Sequence, residues 1–489
     1  MNDLIKKYKE NSPRICAVLL GLVLFLLPFE MFPRAELFGA TVRLSQVAGL
    51  LLIVFSAPVI ITKWRDWLKQ PWLLLALFVL VSLVSSYFAI SKSRGLIVGS
   101  FYIFNFVLAY AATQAFDIKN SQVYKKIIYI SGLVVVAFCL FQFVGDTLGI
   151  SNKFTLLDLR YTKLIFGFAR VQGFSIEPLY LASYLMIPFC LALAGYIFSN
   201  KKYEAALATV FLTTIYMTVA RGAYLAVFTV LIGFAIFMIY KKKWQQLGVT
   251  VAIIFGSAVV AFGLIWASGS FAIQIDKSSV VPSELQTNIP QEGIDAGGNA
   301  SRLIEHTTDF ADESSFSDRL KTSKTAIAAG LKNPVLGVGP GNFGRYVVKN
   351  YPGQYEDTSQ IANNETFEIL AEQGFAGLVI ILAFGLSMML MAVKYCSKKH
   401  TLQSNIWALA GSGMLVAFVV QWQTFSTLYV THIWVIVGVY IAIVGPVSDR
   451  PRSVIPEVRW LAEGSRNKKR NNIENIDSRL LGNDGVGTA

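Results

Sequence analysis

The stretch YEAALATVFLTTIYMTVARGAYLAVFTVLIGFAIFMIYKKK, residues 203–243, decides what kind of molecule this is. Between Glu204 and Lys241 the only charged side chain is Arg221. A helix rises 1.5 Å per residue and needs about 20 residues to cross roughly 30 Å of hydrocarbon. The run therefore reads as two spanning helices, 203–219 and 222–240, with Arg221 at the turn between them. An arginine at membrane depth is costly. It either snorkels its head to the interface or serves a partner or pathway, and both readings stand at this point.

The same signal recurs along the chain. Hydrophobic residues make up 54% of 489 and charged residues 15%, with a mean hydropathy of +0.53, below the charge content of soluble domains. Further runs fall at 15–31, 40–61, 72–90, 95–114, 124–147, 178–198, 246–267, 372–394, 403–423 and 428–446. The expectation is an all-α polytopic membrane protein with about 12 transmembrane helices. MNDLIKKYKENSPR leads straight into CAVLLGLVLFLLPF without a cleavage site, so the first run reads as a retained span.

Lys and Arg distribution orients the chain. KWRDWLK, KNSQVYKK, SNKK, YKKKW and KYCSKK share one side with the amino-terminal KKYK and the tail GSRNKKRNN. By the positive-inside rule that side is cytoplasmic. The expected division is a cytoplasmic N-terminus (1–14), helices one to nine (15–267), a large extracytoplasmic loop (268–371), helices ten to twelve (372–446) and a basic cytoplasmic tail (447–489). The formal charge of +13 is then a topology signal. KKR at 468–470 reads as a solvated tail or a contact with anionic membrane lipids, not a nucleic-acid site. PRSVIPEVRWLAEG (451–464) is either a short interfacial helix or a loose tail. Cys16, Cys139, Cys190 and Cys396 show no paired spacing, and His306, His400 and His432 no metal-ligand pattern.

Two outward segments are long. Residues 148–177 carry Arg160, Arg170 and Glu177, and 268–371 is large enough to hold structure of its own. SFSDRLKTSKTAIAAGLKN (315–333) reads as a helix capped by Ser315 or Ser317, with Leu320, Ile327 and Leu331 on one face. SSVVPSELQTNIPQEGIDAGGNASR (278–302) looks mobile, as a lid or a linker. GVGPGNFG (337–344) lacks the lysine and hydroxyl of a nucleotide loop. Gly337, Gly339 and Gly341, followed by Asn342, suggest a tight turn whose N–H groups meet an anion, or one that only reverses the chain.

Arg170, Arg221 and Arg319 all map to the outer face and need counter-charge. Glu177 is one source; a diphosphate is a fuller one, because guanidinium forks match phosphate oxygens. Such a clamp suits departure of a polyprenyl diphosphate from a sugar anomeric carbon. Candidates for the base that takes the acceptor's proton are Glu177, Glu365, Glu368, Glu372 and His306. The three glutamates at helical spacing also suit a helix first turn without chemistry. No carboxylate pair marks a metal site; DES at 312–314 is the weak exception.

In their order and spacing, RVQGFSIEPLYLASYL (170–185), TVARGAYLAV (218–227), Arg319, NPVLGVGPGNF (333–343) and NNETFEILAEQGFAGL (363–378) resemble bacterial O-antigen ligases and related lipid-linked polysaccharide polymerases. The resemblance spans about 160–395. It implies a GT-C-like membrane fold in a bacterial inner membrane, with no cofactor. It implies glycan transfer from an undecaprenyl-diphosphate-linked donor to a glycan or glycolipid acceptor on the extracytoplasmic face. It places Arg170 and Arg221 on the diphosphate, with Arg319 in support. The family's acceptor-activating histidine falls on Asn363, while the following Asn is kept as Asn364. An amide does not titrate near neutrality. Glu365 or another group takes the proton, or the bond dissociates enough to need little base help, or activity is lost. Outside this reading stand a transporter or flippase of lipid-linked glycans and a non-catalytic membrane scaffold or sensor.

Overall fold

The computed structural model describes residues 2–31, 34–37, 40–271, 296–308, 314–426 and 428–445. Its helices are α1 (Asn2–Leu26), α2 (Leu44–Thr62), α3 (Trp72–Phe88), α4 (Lys92–Ala115), α5 (Ser121–Thr147), α6 (Pro178–Ser199), α7 (Lys202–Met217), α8 (Arg221–Tyr240), α9 (Trp244–Phe271), α10 (Ala296–Thr308), α11 (Ser314–Lys332), α12 (Phe343–Asn350), α13 (Glu365–Cys396), α14 (Leu402–Gln421) and α15 (Thr431–Val444). One-turn helices at Asn152–Thr155 and Lys163–Phe166 interrupt the segment between α5 and α6. Among the described residues eight helices, not the expected twelve, are long and apolar enough to cross a membrane: α2, α4, α5, α6, α8, α9, α13 and α14. Shorter apolar helices are Ser12–Leu26, α3 and α15.

A helix that is apolar all round belongs in the interior. α6, PLYLASYLMIPFCLALAGYIFS, is that helix, buried on every side from Pro178 to Ile197. α7 and α14 pack on it, and α8 packs on α14. Lys125 of α5 and Glu204 of α7 pair inside the bundle at 2.6 Å, and the Tyr203 hydroxyl donates to the same carboxylate at 2.9 Å. A buried ion pair holds together only when its remaining hydrogen bonds are made; here the Tyr129 hydroxyl of α5 donates to the other Glu204 oxygen and joins α5 to α7 a second time.

Four further sequence expectations change. The span expected from residue 40 begins at Leu44, because Arg34–Leu37 and Ala40–Arg43 form an antiparallel hairpin just before it. GNASR, within the stretch expected to be mobile, belongs to α10, which packs on α9; residues 278–295 lie outside the described residues. The helix expected from 372 starts at Glu365, so its acidic turn is helical and not part of the loop. The fourth concerns α11. Leu320 and Leu331 are 45% and 61% exposed, whereas Thr322, Ala326, Ala329 and Gly330 are buried. The small residues let α13 approach: a Cβ on Gly330 would lie 2.6 Å from Leu370 Cγ.

α13 breaks at Gly374, whose φ of 65° and ψ of −165° are not helical. The carbonyls of Pro334 and Val335 fill the gap, accepting from the Phe375 and Ala376 amides at 2.7 and 3.4 Å. A Cβ at residue 374 would lie 2.5 Å from the Val335 carbonyl carbon, and only glycine is at ease at this φ. Around the first part of α13 gathers a second apolar core, separate from the bundle, formed by Ala326, Ala329, Val338, Phe343, Tyr346, Val347, Ala362 and Ala371.

Candidate functional site

Arg221 opens α8 directly after a turn of three residues, Thr218 to Ala220. Val219 in that turn is left-handed, with φ 47°, a strained state for a β-branched residue. Arg170 holds the strain in place: its Nε and Nη2 donate to the carbonyls of Thr218 and Val219 at 3.2 and 3.0 Å. The guanidinium lies over the Phe166 ring at 4.7 Å and the Tyr161 ring at 5.5 Å. Burial lowers its pKa from the ordinary arginine value, and the neighbouring Arg221 charge pushes the same way. On the other side the Tyr224 hydroxyl donates to the Tyr216 carbonyl at 2.6 Å, stapling α7 to α8.

Gly222 explains how a distant loop reaches this turn. A Cβ there would overlap Thr424 Oγ1 and lie 2.9 Å from Thr424 Cβ. Gly222→Val is therefore expected to push the 422–430 loop away. Overpacking of this kind costs about 1–3 kcal/mol, so the thermal unfolding midpoint of the purified protein should fall.

The acidic turn of α13 does something sequence reasoning did not anticipate. Glu365, Glu368 and Glu372 are aimed at three different loops. Glu365 accepts from the Leu428 amide at 2.8 Å, while its own amide donates to the Trp422 carbonyl at 2.7 Å. Glu368 accepts from the Ala362 amide at 2.8 Å and from the Ser426 hydroxyl. Glu372 accepts from the Gly341 and Phe343 amides at 2.7 and 3.0 Å. The glycine loop meets a carboxyl group, that of the protein's own Glu372, through the Gly341 and Phe343 amides. Gly337, Gly339 and Gly341 have φ of 66°, 96° and 66°, and the Val338 and Gly339 amides donate to the Ala371 and Glu372 carbonyls at 2.9 Å each. Asn342 closes the loop against α4's start, accepting from the Ser91 amide at 2.8 Å.

These clamps fix Asn363. Ala362 before it is held by Glu368 and, through its carbonyl, by the Thr322 hydroxyl at 3.1 Å. Asn364 after it caps α13, its side chain accepting from the Phe367 amide at 3.1 Å. Asn363 itself is left-handed, φ 54°, a conformation asparagine tolerates.

A cavity of about 620 Å³ lies between these pieces. Arg221, Arg319, Asn363 and Asn364 line it, with Ser323, Gln423 and Thr424 adding polar groups and Tyr224, Leu225, Phe228, Leu320 and Phe367 an apolar wall. Arg319 Nη1 also donates to the Thr424 carbonyl at 2.9 Å. Leu225 and Phe228 are 51% and 61% exposed, so the apolar wall continues onto the outer surface of α8. Four of the expected site residues thus share one cavity. Arg170 is not among its lining residues and stands behind the Arg221 turn. Glu177 is the N-cap of α6, partly exposed, and it, Glu365 and Glu368 do not line the cavity either. The side chain of His306 lies outside the described residues, as do Asp312 and Glu313. Among the described residues no three His, Cys, Asp or Glu side chains gather as a metal site.

Gln423 and Thr424 are not among the residues expected from the sequence, where Gln423 ends the run 403–423 and Thr424 falls between two runs. QTFST between two apolar runs was the available signal.

The residues brought together here come from separated stretches of the chain. Residues 205–382 match the O-antigen ligase family model. The chain is therefore a multi-pass membrane protein that carries an O-antigen ligase domain over part of its length. The O-antigen ligase domain includes Arg221, Arg319, the glycine loop and the whole acidic turn, and it ends within α13. Arg170 and Gln423 fall outside it. No curated protein matches the chain.

Proposed function

We propose that this chain transfers or polymerises a glycan, moving it from an undecaprenyl-diphosphate-linked donor to a sugar hydroxyl at the extracytoplasmic face of a bacterial inner membrane. The observation that carries the reading is the shared cavity of Arg221, Arg319 and Asn363 inside an O-antigen ligase domain. Two guanidinium groups suit a diphosphate, and the apolar wall running to exposed Phe228 suits a polyprenyl chain. In the reaction the acceptor oxygen bonds to the sugar C1. The bond from C1 to the diphosphate oxygen breaks, and its electron pair stays on the departing diphosphate. Arg221 and Arg319 offset the charge that grows there. Arg170 acts as a positioning residue for Arg221.

Asn363 orients the acceptor hydroxyl but takes no proton. The three glutamates act through the loops they hold. In this reading the sugar carbon becomes strongly cationic before the acceptor bonds, and the acceptor's proton leaves late, to water. The lysine-rich loops support cytoplasmic termini.

The test is turnover in nanodiscs with an undecaprenyl-diphosphate oligosaccharide and a glycan acceptor. Extended glycan and free undecaprenyl diphosphate are expected in equal amounts. Passage of intact donor across a bilayer with no cleavage at C1 would overturn transfer in favour of lipid transport.

A further inference from the structure

The corner after α14 grips three successive residues at the start of α13, Asn364 to Thr366. The Trp422 carbonyl accepts from the Glu365 amide at 2.7 Å, and the Gln423 carbonyl from the Asn364 side-chain nitrogen at 3.3 Å. The Gln423 side chain then reaches Thr366, its Nε2 donating to the hydroxyl at 3.1 Å. Gln423 is exposed and lines the arginine cavity together with Asn363, one residue before this grip. It lies outside the matched residues 205–382.

The two ends of its carboxamide are not equally occupied. Nε2 carries two hydrogens, and the second goes to the Val419 carbonyl, one turn back on α14, at 3.3 Å. A carbonyl only accepts, so Val419 fixes which end of the amide faces α14. Asn364 imposes the same orientation from the other side. Its side-chain oxygen takes the Phe367 amide at 3.1 Å, so its nitrogen is the end that meets Gln423. Gln423 Oε1 is left with contacts of 3.4 and 3.5 Å, from Asn364 Nδ2 and the Thr366 hydroxyl. Both are longer than a full-strength hydrogen bond to a carbonyl oxygen, about 2.7–3.2 Å. Oε1 is thus a fixed, weakly engaged acceptor on a residue of the cavity wall. An oxygen that only accepts is complementary to a hydroxyl and offers nothing to an ionised phosphate, so it suits a sugar and not the diphosphate.

We propose that Gln423 is a specificity residue for the acceptor: its Oε1 accepts from a hydroxyl of the acceptor sugar next to the one that Asn363 orients. The inference rests on the glycan-transfer reading. Gln423 takes no proton, since a carboxamide is not a base near neutrality. It selects which sugar, and which of its hydroxyls, is presented to C1. The acceptor class that fits is a sugar with two neighbouring free hydroxyls, because a site that hydrogen-bonds a hydroxyl rejects the analogue lacking it.

The experiment uses the whole chain in nanodiscs with an undecaprenyl-diphosphate oligosaccharide as donor. The acceptors are methyl glucoside, methyl galactoside and methyl rhamnoside, each intact and as its mono-deoxy forms. The parent should prefer an intact glycoside over the form lacking the hydroxyl beside the attacking one by about 10-fold in kcat/KM, the scale of one neutral hydrogen bond. Gln423→Leu should raise the KM for the intact acceptor about 10-fold, with a much smaller change in kcat, and should no longer distinguish the two acceptors. A purely structural role would instead lower the melting temperature and slow both acceptors alike. Thr366→Val removes a partner of Nε2 from outside the cavity lining. It should lose about threefold of the discrimination, and it carries the test if the leucine variant does not fold. A parent that cleaves donor yet treats intact and deoxy glycosides alike, or extends none of them, overturns this inference alone. So does a Gln423→Leu protein that keeps the parent's discrimination. A parent that cleaves no donor overturns the transfer reading and this inference with it.

Discussion

Replacing Arg221 by alanine is expected to lower glycan transfer about 100-fold or more, the usual scale for deleting a group that stabilises charge in a transition state. The protein should still fold and insert. Arg221 begins α8 facing the cavity, and the turn before it is held by Arg170 and by the Tyr224 hydroxyl. Arg221→Lys should recover only part of the rate, since an ammonium is a point charge and not a fork. The measurement is turnover of donor at saturating acceptor, beside a melting curve for each variant. An alanine variant that turns over at the parent rate removes the diphosphate clamp from the proposal. Arg170→Ala should act differently. It leaves two carbonyls and the strained Val219 without their support, so it should reduce stability and activity together.

The second large effect is expected at Glu372, and it is structural. Glu372→Leu leaves the Gly341 and Phe343 amides without their acceptor. An unsatisfied buried amide costs about 1–3 kcal/mol, so the pair should cost on the order of 4 kcal/mol. Thermal unfolding should shift accordingly, and the amides of 337–343 should exchange hydrogen faster. Glu372→Gln keeps one acceptor oxygen and should fall between the two. A leucine variant as stable as the parent would show that the glycine loop is held by its packing alone.

Eight of the twelve expected runs are helices long and apolar enough to span among the described residues, and these were legible because a long apolar run admits few alternatives. Pro178–Ser199 and Leu402–Gln421 lie within two residues of the expected 178–198 and 403–423. The buried face of α11 was not legible. Periodicity weighs large side chains, whereas α11 packs through Ala326, Ala329 and Gly330, whose value is the closeness they permit. The acidic turn was legible as a pattern but not as a device. Nothing local reveals that Glu365 bonds the amide of Leu428, or that the Ser85 hydroxyl donates to the Glu372 carbonyl at 2.9 Å. The hairpin before α2 was hidden for a similar reason: Ala40–Arg43 is apolar enough to be read as the start of the span. Arg221 and Asn363 were legible as oddities, one a charge in oil, the other an amide at a histidine's place in the resemblance. Their meeting in one cavity depends on a loop the sequence left unremarked.

Gly374 divides α13 into two mechanical bodies. The upper one, carrying Asn363's cap and the carboxylates, is riveted to the loops above it, while the span from Phe375 to Cys396 starts its own ladder on borrowed carbonyls. Bilayers differ in thickness, and a span meets the difference by tilting. The Gly374 joint gives the span from Phe375 to Cys396 a place to tilt without turning the helix start beside Asn363, whereas α8 carries Arg221 at the head of one unbroken span.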